Sequence, residues 1–162
     1  MFKKIAFVCL GNICRSPTAE AIARSRVAER NVSLEVESYG TGSWHLGGNA
    51  DTQAIRALSR AGYSHIGHSA RQIASKIIEE DTLYVALDYS NYRNLLNFPY
   101  LSSHREHVTM LRFFDPDLSE LPKRPSTAFD VADPYYEDDA FYDETLTVIE
   151  RCITPLIDFV LR

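Results

Sequence analysis

The sequence has only three cysteines, Cys9, Cys14 and Cys152, and they make no disulfide framework. They read as reactive or buried thiols of an intracellular chain. It also lacks a long apolar run. No stretch approaches the ~20 residues that cross a bilayer. The first apolar run, Ile5 to Leu10, is too short for a secretory signal and leads straight into Gly11-Asn12. No membrane association and a cytoplasmic location are therefore expected. Basic residues are not in excess: the net charge is −5. That argues against nucleic acid as a partner, because phosphate neutralisation needs a basic face. Any anion site must be built locally, against the overall field. There is no repeat, low-complexity tract or linker, so residues 1–162 are expected to form one domain. A metal site also lacks its ligands. His104 and His107 lie near Glu106 without a suitable third donor.

What remains is globular in character, with 45% hydrophobic and 24% charged residues. Ile5 to Leu10 reads as a strand bounded by Gly11. Ser16 suits a helix N-cap and Pro17 the first helical position, where a missing N–H costs nothing. Ala19, Ile22, Ala23 and Val27 continue that helix to about Asn31. Leu34, Val36 and Ser38 alternate with Glu35 and Glu37, as in a strand with one buried face. Asp51 to Ala61 predicts a second helix closed by Gly62. A short helix is expected at Ile73 to Ile78, a buried strand at Leu83 to Leu87, a helix at Ser90 to Asn97 stopped by Pro99, and a strand at Val108 to Phe113. Asp115 to Glu137 holds four prolines and reads as a long surface loop, of a length that is usually functional or disordered. The last helix carries Tyr142, Leu146, Ile149, Ile153, Leu156 and Val160 along one face. Pro155 should kink or split it. This β-α-β-α-β-α-β-α order predicts an α/β domain: a parallel, doubly wound sheet with helices on both faces and right-handed crossovers. Ligands of such sheets sit beyond the carboxyl ends of the strands.

The loop after the first strand is therefore the place to look. It reads Cys9-Leu10-Gly11-Asn12-Ile13-Cys14-Arg15-Ser16. A thiol opens it, Gly11 gives backbone freedom, and a guanidinium closes it at a helix N-terminus. Backbone N–H groups, the helix dipole and the planar fork of Arg15 converge on one anion. The same three effects favour a thiolate at Cys9. Cys14 is open to two readings, as a packing residue or as a disulfide partner of Cys9.

Val8 to Pro17 resembles the signature Val-Cys-x-Gly-Asn-Ile-Cys-Arg-Ser-Pro of low-molecular-weight protein tyrosine phosphatases at every fixed position. The likeness continues through Ser38, Trp44, the segment from His68 to Ile73, Asp88-Tyr89-Ser90-Asn91 and Asp133-Pro134-Tyr135-Tyr136. The resemblance implies a four-stranded parallel sheet and no cofactor. It implies Cys9 as nucleophile, Arg15 as phosphate clamp and Asp133 as general acid, with Asn12, Ser16, Ser38 and His68 as hydrogen-bonded support. Tyr135 and Tyr136 are expected to line a slot for a phenyl ring, with Trp44 and His45 on the opposite wall. For His68, support of the loop is the preferred reading over a catalytic base.

Three alternatives share this loop. Thiol-dependent arsenate reductases use further cysteines, and Cys152 is the only one outside the loop. Related phosphoarginine phosphatases usually carry Thr where this chain has Ile13. A binding module without turnover would be expected to lack the nucleophile or the acid. The expected partner is a tyrosine-phosphorylated protein, with a tyrosine kinase as a second candidate, and the chain is expected to be a monomer or weak dimer.

Overall fold

The computed structural model describes residues 1–65 and 67–162. Four strands form one all-parallel sheet: β1 (Lys4–Cys9), β2 (Glu35–Gly40), β3 (Thr82–Ala86) and β4 (Val108–Met110), in the order β2-β1-β3-β4. Cys9 pairs with Gly40, and Val8 with both Tyr39 and Ala86. Period-two side chains divide β1 between two cores. Ile5, Phe7 and Cys9 face α1 (Arg15–Arg30), α2 (Thr52–Arg60) and α5 (Asp139–Val160). Ala6 and Val8 face the other way, toward a second cluster containing Leu95 and Leu101 of α3 (Tyr89–Leu95) and α4 (Pro99–Ser103). The sheet is doubly wound, as expected. Its chain order reverses between β1 and β3, so the crevice for a ligand opens at the end of β1.

Several local expectations need correction. Helix α1 begins at Arg15, with Cys14 as an N-cap that makes no side-chain cap bond. Ser16 and Pro17 are already inside it, because the Ser16 hydroxyl is bonded within the loop instead. Asn31 ends α1 in the left-handed region, where its N–H reaches Ala28 O. The expected strand at Val108 to Phe113 stops at Met110, and a 3-10 turn over Leu111–Phe114 follows. Ile73 to Ile78 holds only a 3-10 turn, Ser75–Ile77. Helix α3 ends at Leu95, and Pro99 starts α4 at the position where proline is best tolerated. Pro155 does not split α5, which runs unbroken from Asp139 to Val160. Tertiary packing decides there: Ile149, Ile153, Leu156 and Ile157 are all fully buried around it.

The stretch from Asp115 to Glu137 is not simply a surface loop. Asp115, Phe129 and Val131 are buried, and 3-10 turns occupy Pro116–Leu118 and Thr127–Phe129. Among the described residues no helix is long and apolar enough to cross a membrane.

Candidate active site

The loop from Cys9 to Ser16 is curled between the end of β1 and the start of α1. Its carbonyls are held from outside. Thr41 N–H donates to Cys9 O at 2.9 Å, Gly42 N–H to Leu10 O at 2.8 Å, and Asp51 N–H to Ile13 O at 2.8 Å. Thr18 takes Cys14 O through both its N–H and its hydroxyl, the latter at 2.7 Å. In a trans peptide the C=O and N–H point opposite ways. Pinning these carbonyls turns the N–H groups of Leu10, Gly11, Cys14 and Arg15 to the other side, and all four residues line the cavity over Cys9. This is an anion nest at a helix N-terminus. Gly40 allows the close approach: a Cβ there would sit 2.7 Å from Leu10 O.

Asn12 organises the loop from within. It is fully buried and has φ 57°. Its Nδ2 donates to Ser16 Oγ at 2.8 Å and Ser38 Oγ at 2.9 Å, and its Oδ1 accepts from Arg71 N–H at 2.9 Å. His68 Nε2 lies 2.7 Å from Asn12 O. Ser38 Oγ donates onward to Glu20 Oε2 at 2.8 Å. Around the Cys9 sulfur stand Ser16 Oγ at 2.9 Å and Asn12 N–H at 3.3 Å. Both can stabilise negative charge on sulfur. Cys9 is 3% exposed and is among the residues that line the cavity.

Arg15 is buried, and one edge of its guanidinium is fixed. Its Nη1 donates to Asp88 Oδ2 and to Val131 O, each at 2.8 Å. Its Nη2 lies 3.6 Å from Asp133 Oδ2. Burial would lower the Arg15 pKa, but Cys9, Asp88 and Asp133 outweigh it and push it up, so the cation is permanent. Asp133 is partly exposed, and its Oδ1 accepts Tyr135 N–H at 3.1 Å. Trp44 and Tyr136 stand at the rim, 72% and 91% exposed. The Trp44 ring lies against Gly42, where a Cβ would be 1.8 Å from it. The His45 and Tyr135 rings meet edge to face, with centroids 5.9 Å apart. The cavity that these groups share measures about 340 Å³. A larger cleft of about 610 Å³ lies behind the loop, between α1 and a segment carrying Tyr63, His65 and Arg71. It contains neither Cys9, Arg15 nor Asp133, so size does not pick the site.

Residues 4–161 match the family described as low molecular weight phosphotyrosine protein phosphatase. The chain belongs to this family. Over 158 residues it is 39% identical to low molecular weight protein-tyrosine phosphatase A of Mycobacterium tuberculosis, covering 96% of this chain and 90% of the relative. It is 30% identical over 161 residues to the low molecular weight phosphotyrosine protein phosphatase of Sus scrofa, covering 98% and 96%. Among solved structures, YfkJ from Bacillus subtilis superimposes with a TM-score of 0.85 at 30% identity, covering 99% of this chain and 96% of that one.

In this member of the family the loop opened by Cys9, the Arg15 guanidinium, and Asp133, Tyr135 and Tyr136 line one cavity, and Ser38 and His68 bond to Asn12 behind the loop. Cys14 lines the same cavity, but its thiol has partners of its own. Its Sγ lies 3.7 Å from Asp51 Oδ2 and 3.6 Å from Tyr142 Oη, and Tyr142 donates to Asp51 at 3.0 Å. Burial pushes the Cys14 thiol up to about 12. All three cysteines are free thiols. The sequence alone assigns no role to Asp88, Asp51 or Tyr142. For Asp88 a signal existed: Asp88-x-x-Asn91 after a buried strand is a capping-box pattern, and both of its reciprocal bonds form. For Tyr142 there was none, because its hydroxyl sits on an otherwise apolar helix face.

Proposed function

We propose that this chain hydrolyses phosphotyrosine in proteins through a phosphocysteine intermediate. One observation carries the reading: a sulfur set among N–H donors, a buried guanidinium and a reachable carboxyl group share one cavity with aromatic walls. The Cys9 thiolate attacks phosphorus in line. The bond from phosphorus to the tyrosyl oxygen breaks, and Asp133 gives that oxygen its proton. The S–P bond then yields to water, whose proton returns to the Asp133 carboxylate, and inorganic phosphate leaves. Arg15 and the loop N–H groups hold the equatorial oxygens in both steps. Asp88 holds Arg15 by one edge, which leaves its other edge for phosphate. Asn12, Ser16, Ser38 and His68 keep the loop curled. Trp44, Tyr135 and Tyr136 supply a slot deep enough for a phosphophenyl group.

The reading needs no cofactor and no metal. The chain acts in the cytoplasm on tyrosine-phosphorylated proteins, with a tyrosine kinase as a further partner, and works as a monomer or weak dimer without nucleic acid. Mild peroxide converts Cys9 to a sulfenic acid, and the Cys14 thiol displaces water from it to give a disulfide that thiols reverse.

Turnover of p-nitrophenyl phosphate by wild type and Cys9→Ser tests the core of this reading. Mass measurement after rapid quench should find phosphate on Cys9, more readily in Asp133→Ala. Wild-type turnover in Cys9→Ser would overturn it. Peptides carrying phosphotyrosine, phosphoserine and phosphoarginine test the slot, and equal rates on all three would remove it.

A further inference from the structure

We propose that Arg112, remote from the phosphate loop, is a positioning residue for the acid Asp133. The proposal rests on the acid role given to Asp133 above. The Asp133 carboxyl group is 43% exposed, and its own contacts are Tyr135 N–H and, at 3.6 Å, Arg15. Little in its immediate surroundings fixes it. Its place is set by the backbone just before it, and that backbone is held from two sides. Asp130 O accepts from Arg112 Nη1 at 3.1 Å. The next carbonyl, Val131 O, accepts from Arg15 Nη1 at 2.8 Å. Tyr89 N–H donates to Asp130 Oδ1 at 2.7 Å, and Val131 N–H to Leu87 O at 2.8 Å, which ties the segment to the end of β3.

Arg112 is itself braced. Its Nε donates to Asp115 Oδ2 at 2.9 Å. The Asp115 side chain is fully buried and also takes a two-bond fork from Arg151 of α5, at 2.8 Å and 3.0 Å. Burial alone would push the Asp115 carboxyl up. The Arg151 bonds, with those from Asp117 N–H and Arg112, outweigh it and hold it below the usual carboxylate range. The result is a strut that runs from α5 through Asp115 and Arg112 to Asp130 O, and so to the residues leading into Asp133. Breaking one partner of such a pair destabilises, but replacing the whole pair by apolar packing costs little, so what this one adds over apolar packing is fixed geometry. A reacting group misplaced by about 1 Å can cost about a hundredfold in rate.

A positioning role predicts a leaving-group signature that a structural role does not. Phenyl phosphate expels a basic phenolate and depends on the acid, whereas p-nitrophenolate leaves largely unaided. Arg112→Lys keeps a cation beside Asp115, but one ammonium cannot also reach Asp130 O with the guanidinium's fork geometry. The measurement is kcat/KM for both substrates in wild type, Arg112→Lys, Arg112→Met and Asp133→Asn, with urea unfolding of each. Arg112→Lys should stay folded and lose about tenfold more on phenyl phosphate than on p-nitrophenyl phosphate. That is part of the roughly 10²–10⁴ that a general acid supplies. Asp133→Asn should show the same split in full. Equal losses on both substrates in Arg112→Lys, or no loss, would overturn the strut while the split in Asp133→Asn left the acid in place. No split in Asp133→Asn would remove the acid assignment and the strut with it. Arg112→Met adds the case without a cation and should split at least as widely as Arg112→Lys.

Discussion

Asn12 performs no chemistry, yet its side chain meets three groups and its backbone takes a conformation that few residues tolerate. Asparagine is among the residues that enter the left-handed region most readily. Asn12→Ala should cost about 3 kcal/mol: the strain of alanine at positive φ, plus an Arg71 N–H without its acceptor and Ser16 and Ser38 hydroxyls without their donor. Asn12→Gly removes the strain and keeps the lost bonds, so it should recover about 1 kcal/mol of that. Urea unfolding of the two variants measures the difference. Turnover on p-nitrophenyl phosphate should fall in both, because Ser16 loses the donor that orients it toward Cys9. Cys14 allows a second test at this scale. Since the thiolate is the species that reacts, a thiol pushed up to about 12 by burial should alkylate slowly. In a Cys9→Ser background, iodoacetamide at mildly alkaline pH should label Cys14 far more slowly in the folded chain than in urea, as peptide mapping would show. Equal rates would mean that the pocket formed with Asp51 and Tyr142 does not shield it.

At the scale of elements, α5 shows packing overriding propensity. Proline inside a helix costs up to about 3 kcal/mol, since it removes one hydrogen bond and crowds the preceding turn. The helix continues because its buried face holds against α1 and α2. Pro155→Ala should therefore stabilise the chain, by about 1–3 kcal/mol, without changing kcat, as thermal unfolding and a turnover assay would report. A destabilised variant would mean that the proline ring fills space the helix needs. The active loop shows the reverse balance. It has no regular hydrogen bonding of its own: Thr41 and Gly42 just after β2, Asp51 just before α2 and Thr18 of α1 take its carbonyls, and Ser38 and Arg71 bond the Asn12 side chain. Its shape belongs to its neighbours.

For the whole molecule, Asp115 joins the segment after β4 to the C-terminal helix. Its folded pKa lies below its unfolded one. The stability it contributes is then fully present above the unfolded value of about 3.9. It is lost as pH falls through that value toward the folded one. Urea midpoints measured from pH 6 down to pH 3 should fall more steeply for wild type than for Asp115→Asn, which should start less stable at pH 6. Parallel curves would show that the carboxylate charge adds nothing to folding.

The sequence alone determined the parallel α/β order, and it pointed to the loop after β1 as the candidate anion site, with Cys9, Arg15 and Asp133 proposed as nucleophile, clamp and acid by family likeness. It could do so because the strand-to-helix turn and the Cys9 to Pro17 motif are local, and local patterns survive without knowledge of the neighbours. The β2-β1-β3-β4 order, the start of α1 at Arg15 and the end of β4 at Met110 came only with the tertiary structure. So did the intact α5, the burial of Asp115, the pairing of Arg15 with Asp88, and the enclosure of Cys14 by Asp51 and Tyr142. Each of these depends on contacts between residues far apart in the chain: Arg15 and Asp88, Asp115 and Arg151, Cys14 and Tyr142. The polar partners of a buried group are chosen by which segments the sheet and helices bring together, and no spacing along the sequence encodes that choice.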